Sequence, residues 1–120
     1  MSISIVGGSV SPSTALTLNA QTGTTYTFVL TDANNVLVTA SNAAAQTYTI
    51  PPNSSVAYPI GSQINIIQIG AGQVTIQGAS GVTVASTGAT STAPKLRAQY
   101  SSATLVKVDT NSWYVVGDLS

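Results

Sequence analysis

Proton transfer and nucleophilic attack at neutral pH draw on few side-chain types, and this chain is nearly empty of them. It has no histidine, cysteine or glutamate. Its acids are Asp32, Asp109 and Asp118, and its bases are Lys95, Arg97 and Lys107. General acid–base work needs a histidine or a carboxylate with a tuned partner. Asp32 opens the stretch Asp32-Ala33-Asn34-Asn35, and Asp109 opens Asp109-Thr110-Asn111-Ser112. Both read as turns, where a short polar side chain bonds to nearby backbone. Serine and threonine are plentiful, but only Lys95 or Lys107 offers them a base, and no acyl-transfer motif surrounds either. The Asp32 stretch begins like a calcium loop, yet Leu37 stands where a glycine belongs and no distal glutamate follows. Gly70-Ala71-Gly72 is not followed by the Lys-Ser/Thr of a phosphate loop. Without cysteine there is no disulfide and no thiolate metal site. These residues predict a protein that is not an enzyme and that needs no cofactor and no metal.

Charge is scarce as well. Charged residues make up 5% of the chain and formally cancel, against roughly 25% in ordinary soluble domains. A neutral surface lacks the repulsion that keeps monomers apart, which suits a subunit of an assembly. It does not suit nucleic-acid binding, which needs clustered bases to neutralise phosphates. No stretch reaches the roughly 18 apolar residues of a membrane span, and Met1 to Val10 lacks the features of a signal peptide. Lys95, Arg97 and Gln99 alternate with Leu96, Ala98 and Tyr100, giving one solvated and one buried strand face. Lys95 and Arg97 then serve either as edge protection, with a salt bridge to Asp109 or Asp118, or as a polar contact to an acidic partner. Trp113 and the five tyrosines are suited to a core, to a subunit interface or to stacking on sugars.

The elements that must position these residues are strands. A chain of 120 residues fits one domain. Thr, Val, Ile and Tyr abound, helical periodicity is missing, and turn residues recur at short intervals. The expected fold is all-β: a single small antiparallel sandwich or barrel, jelly-roll-like. Residues 1–12 form an N-terminal arm or edge strand, and residues 13–120 a single β domain. In the arm, Ile3, Ile5 and Val6 are the candidate contacts with a partner, since an apolar run before two glycines can add to another chain's sheet. Pairing with its own sheet is the equal alternative. Thr24 to Leu30 and Val36 to Thr39 read as a hairpin about the Asp32 turn. Val56 to Ile60, with Pro59, reads as an edge strand, and Lys95 to Tyr100 as another strand. Gln63 to Ile69 changes phase: Ile64 and Ile66 face one way, Ile67 and Ile69 the other. A bulge or burial on both faces accounts for this, and the four isoleucines become the candidate subunit interface. Thr-x-Thr steps recur at irregular spacing, which argues against a solenoid or an ice-binding array. Trp113, heading the last strand, is expected to be buried.

Several stretches carry a resemblance when taken together: Gln21-Thr22-Gly23-Thr24-Thr25-Tyr26-Thr27, Ile50-Pro51-Pro52-Asn53-Ser54-Ser55-Val56-Ala57-Tyr58-Pro59-Ile60-Gly61 and Gly70-Ala71-Gly72-Gln73-Val74-Thr75. Leu96-Arg97-Ala98-Gln99-Tyr100-Ser101 and Trp113-Tyr114-Val115-Val116-Gly117-Asp118-Leu119 complete the set. It resembles a β-rich module of bacteriophage virion proteins: capsid decoration proteins, head fibres and tail fibres. The likeness spans Gln21 to Leu119. It implies placement on the outer surface of the virion and trimeric assembly, and it brings no catalytic residue. The expected role is that of a capsid decoration (cement) protein whose partners are the major capsid protein and itself, as a homotrimer. The alternative is a fibre module that contacts host glycans.

Overall fold

A computed structural model describes residues 15–120. The β-branched and aromatic runs form nine strands: β1 (Thr17–Gln21), β2 (Thr25–Thr27), β3 (Val36–Ala40), β4 (Gln46–Ile50), β5 (Gln63–Gln68), β6 (Val74–Gly78), β7 (Thr83–Ser86), β8 (Ser102–Asp109) and β9 (Ser112–Gly117). One 3-10 turn, Leu30–Asp32, lies between β2 and β3. The strands make a six-stranded sheet of order β1-β3-β5-β8-β9-β7 and a three-stranded sheet of order β2-β4-β6.

The all-β expectation holds, but the sheets are mixed, and the antiparallel sandwich or jelly roll gives way to a largely parallel arrangement. β1, β3 and β5 run parallel, as do β2, β4 and β6. Each successive pair, β1–β2, β3–β4 and β5–β6, is one rung of a three-rung stack. Thr25, Thr47 and Thr75 share one register row, and Tyr26, Tyr48 and Ile76 share the next. This reverses the argument from spacing. The rungs repeat in space while residues 28–35 and 51–62, which return the chain to the next rung, differ in length. A strict sequence period is therefore lost although the stacking is kept. The hairpin expected about Asp32 is absent for the same reason. Asn34 and Asn35 do take left-handed backbone, with φ of 59° and 51°, but the turn carries the chain up one rung.

The rungs press closest at one corner. Asn42 Nδ2 donates to Thr22 O at 2.8 Å and Gly72 N donates to Asn42 O at 2.8 Å, tying three successive corners together. A side chain on Gly72 would collide with the Ala44 carbonyl, and one on Gly70 with the Asn42 backbone. The Gly70-Ala71-Gly72 spacing is thus explained by backbone approach.

The last rung is covered. β8 pairs antiparallel with β5, and β9 returns antiparallel on β8 with a register shift between Lys107 and Asp109. Lys95 bridges antiparallel to Thr75 beside β6. The expected Lys95–Tyr100 strand is reduced to isolated bridges at Lys95 and Leu96. Residues 56–60 form no strand; they run along the surface as loop, with Tyr58 alone buried among them.

Between the sheets lies one core that includes Phe28, Tyr48, Ile50, Ile64, Ile66, Ile76, Leu105 and Trp113. Tyr26, Phe28 and Tyr48 form a ring cluster with centroids 5.6–5.9 Å apart. Tyr58 meets Trp113 edge to face at 5.2 Å. Trp113 is buried, as expected. β5 contains no bulge: it pairs regularly with β3 and β8. Gln68 follows Ile64 and Ile66 inward, its amide satisfied by Val74 N at 3.0 Å and Gly70 O at 3.2 Å.

Candidate interaction surfaces

The carboxylate that chemistry would notice first is a structural one. Asp32 is buried. It accepts from Tyr26 Oη at 2.6 Å, Asn19 Nδ2 at 2.7 Å and Val29 N at 2.9 Å. It caps the 3-10 turn, which extends the turn reading from sequence, and it also anchors that turn to β1 and β2. Burial, then the bond to Asp32, pushes the Tyr26 phenol up to about 12. Among the described residues no group of three or more His, Cys, Asp or Glu side chains could hold a metal ion.

Lys95 and Arg97 are both exposed, and both have partners. Arg97 grips Asp118 with two bonds of 2.8 and 2.9 Å, and Ser101 Oγ donates to the same carboxylate at 2.7 Å. The Arg97 guanidinium, then the Ser101 hydroxyl, holds the Asp118 carboxyl below its ordinary value. Lys95 Nζ donates to Thr75 Oγ1 at 3.0 Å. This is the salt bridge and edge cover that the alternation at Lys95–Tyr100 allowed.

Lys107, the remaining base, does not share the exposure of Lys95 and Arg97. It is 2% exposed, and Nζ donates to Asn53 Oδ1 at 2.6 Å and Tyr58 O at 2.7 Å. The signal was present: on β8, Lys107 shares the inward parity of Ala103 and Leu105. With Tyr58 Oη donating to Val29 O at 2.6 Å and Asn53 N to Asn111 Oδ1 at 2.8 Å, it ties the proline-rich return segment to the core. Burial raises the Tyr58 phenol above its ordinary value.

The isoleucines of the candidate subunit interface part company. Ile64 and Ile66 are fully buried inside the chain's own core, so their side chains meet no neighbour. Ile67 is half-buried on the opposite face, and Ile69 is half-buried just past β5. Ile3, Ile5 and Val6 lie outside the described residues.

Three surfaces remain. The first is the outer side of the six-stranded sheet. Leu18, Leu37, Asn65, Thr104 and Val116 form one row across five strands. Val106 and Tyr114 pair in the row on one side of it, and Ile67 lies on the other. The second is the outer side of the three-stranded sheet, where Thr25, Thr47 and Thr75 form one row and Thr27 and Thr49 another. The third is the first rung, where β1 and β2 end their sheets. Leu16, Leu18, Val29 and Leu30 are all exposed there, Leu18 at 65%. No protein-family model matches the chain, and no curated protein matches it either.

Proposed function

We propose that this chain is a structural protein of the bacteriophage virion: a capsid decoration, or cement, protein. It binds the major capsid protein on the outer surface of the head, assembles as a homotrimer and stabilises the shell by bridging its subunits. Catalysis, metal and cofactor play no part in this role. The residues that carry the resemblance support the virion placement. The structural observation that carries the reading is the unequal closure of the stack. Its last rung is covered by β8 and by the Lys95–Leu96 bridges. Among the described residues its first rung is left with two strand edges and four exposed apolar side chains. Bare edges template strand addition, and the arm with Ile3, Ile5 and Val6 precedes this rung in sequence.

The test is add-back to particles that lack the protein. The full chain should bind them and raise the temperature at which they release their genome, while a chain without residues 1–8 should bind weakly. Full chain that leaves both binding and release unchanged would end the reading.

One observation favours a second reading, a fibre module that contacts host glycans. Tyr100 is 68% exposed and sits at φ 71°, a conformation that costs a bulky residue energy and persists only where surrounding structure enforces it. Such a ring is a sugar-stacking platform. Tyr100→Ala should abolish adsorption of the protein to host cells if this reading holds, and should leave add-back to heads untouched if the first one does.

A further inference from the structure

We infer that Ser2-Ile3-Ser4-Ile5 adds to the edge of β2 in its own chain, as a fourth parallel strand of the three-stranded sheet. The segment lies outside the described residues, and three observations point to its place. The first is pattern. β2 and the residue after it read Thr25-Tyr26-Thr27-Phe28, and β4 contains Thr47-Tyr48-Thr49-Ile50. In both, hydroxyls alternate with apolar or aromatic side chains, and Ser2-Ile3-Ser4-Ile5 repeats that order. In register, Ser2 continues the row of Thr25, Thr47 and Thr75, and Ser4 the row of Thr27 and Thr49. Ile3 continues the row of Tyr26, Tyr48 and Ile76 between them. A slip of one residue would turn Ile3 and Ile5 to water, so the alternation excludes odd registers.

The second observation is length. Residues 28–35 lead from Thr27 to β3, and residues 50–62 lead from Thr49 to β5. These returns are eight and thirteen residues long, and residues 5–16 offer twelve between Ser4 and β1. That stretch holds Gly7-Gly8 and Pro12, which suit a return. So short a tether holds the segment near its own β2 at about a millimolar effective concentration, far above that of a second copy at micromolar. The third observation is an unfinished row. Tyr48 and Ile76 are fully buried, while Tyr26, first in the same row, is half-buried. Thr47 N donates to Thr24 O, and Phe28 N donates to Thr49 O. By the alternation of a parallel ladder, the N–H and C=O groups of Thr25 and Thr27 point away from β4, toward the edge. Backbone of residues 2–5 pairs with them there, Ile3 covers the open side of Tyr26, and Val6 comes beside the exposed Val29. The inference does not rest on the decoration reading, and it leaves the edge of β1, with Leu16 and Leu18, open to a shell subunit.

The chain has no cysteine, so introduced pairs report contact cleanly. Neighbouring strands lie about 4.8 Å apart, and next-but-one strands about twice that. In the purified full chain at micromolar concentration, a short bis-alkylating thiol reagent should join Ser4→Cys to Thr27→Cys within one chain. Ser4→Cys with Thr49→Cys, one strand further, should react far more slowly. Hydrogen exchange of the unmodified protein gives an independent reading. The amides of Thr25 and Thr27 should exchange roughly a hundredfold slower than open amides. Ile3→Asp should return them to the open rate while the amides of β4 stay protected. Cross-links between chains overturn the inference, by giving the edge of β2 to a second copy. Equal reaction of the two cysteine pairs overturns it, and so does open exchange at Thr25 and Thr27 in the unmodified chain. Should a cysteine variant fail to fold, the exchange still decides. No particles are involved, so a chain that passes here and ignores heads keeps the inference and loses the decoration role.

Discussion

Lys107 and Tyr48 show the two ways a polar group can be buried here. Lys107 places its ammonium among neutral acceptors, Asn53 Oδ1 and Tyr58 O. Lys107→Ala removes packing and strands both acceptors, and should cost about 2–4 kcal/mol. Lys107→Met keeps most of the volume and removes a charge that was expensive to bury, so it should cost less than the alanine variant. Urea unfolding of the pair measures the difference; equal losses would mean that the ammonium bonds dominate. The hydroxyl of Tyr48 is buried without a partner among the described residues, and burial pushes its phenol up to about 12. Tyr48→Phe removes an unpaid desolvation and should be neutral, or stabilise by about 1 kcal/mol.

The same phenols set an alkaline limit. Tyr26 and Tyr48 ionise at about 12 in the folded chain, against about 10 when unfolded. Above pH 10 the unfolded chain therefore holds fewer protons than the folded one, and stability falls as pH rises. The contribution is whole below about pH 10 and is lost progressively toward about pH 12. Circular dichroism and tyrosinate absorbance should report unfolding together in this window. Ionisation of Tyr26 and Tyr48 themselves near 10 with the fold intact would contradict their burial.

At the scale of elements, the rungs depend on a few contacts that no strand propensity describes. The Thr22–Asn42–Gly72 corner is one. Gly72→Ala puts a methyl group against the Ala44 carbonyl and should cost about 3 kcal/mol, since backbone on both sides leaves nothing free to move. Gly61 has open space around its Cβ position but a φ of +90°, so Gly61→Ala should cost only the conformational strain, about 1–2 kcal/mol. Thermal melts of the two would rank them; the reverse order would mean that the corner opens readily. On the other side of the core, Trp113→Ala should cost about 3–5 kcal/mol, since the ring is buried against Tyr58.

At the scale of the whole molecule, one half is a parallel stack and the other a mixed cap, in which β8 runs antiparallel to β5 and β9 while β7 runs parallel to β9. Parallel strands must be joined across long returns, so most pairing is non-local, and folding should take milliseconds to seconds rather than microseconds. Stopped-flow refolding gives the rate.

Composition and alternation were enough to establish an all-β chain poor in charge and in catalytic side chains. They also placed the cores of most strands, because a residue's preference for a pleated surface and its period of two are local properties. The alternation of β8 even pointed Lys107 inward. Which strands pair, and in which direction, was decided only in three dimensions. The expected strand Thr24–Leu30, which the fold shortens to Thr25–Thr27, reads the same whether its neighbour arrives by a hairpin or by a rung. The choice rests on where residues 28–35 lead the chain, and that depends on Asp32 reaching Asn19 and Tyr26 across the fold. The stack escaped notice because its period is fixed by the spacing between rungs, while unequal return segments remove that period from the sequence. The two faces of β5 were likewise visible as a phase change. That Ile64 and Ile66 are fully buried within the chain while Ile67 is half-buried follows from where β8 and the three-stranded sheet come to rest, which is a property of packing.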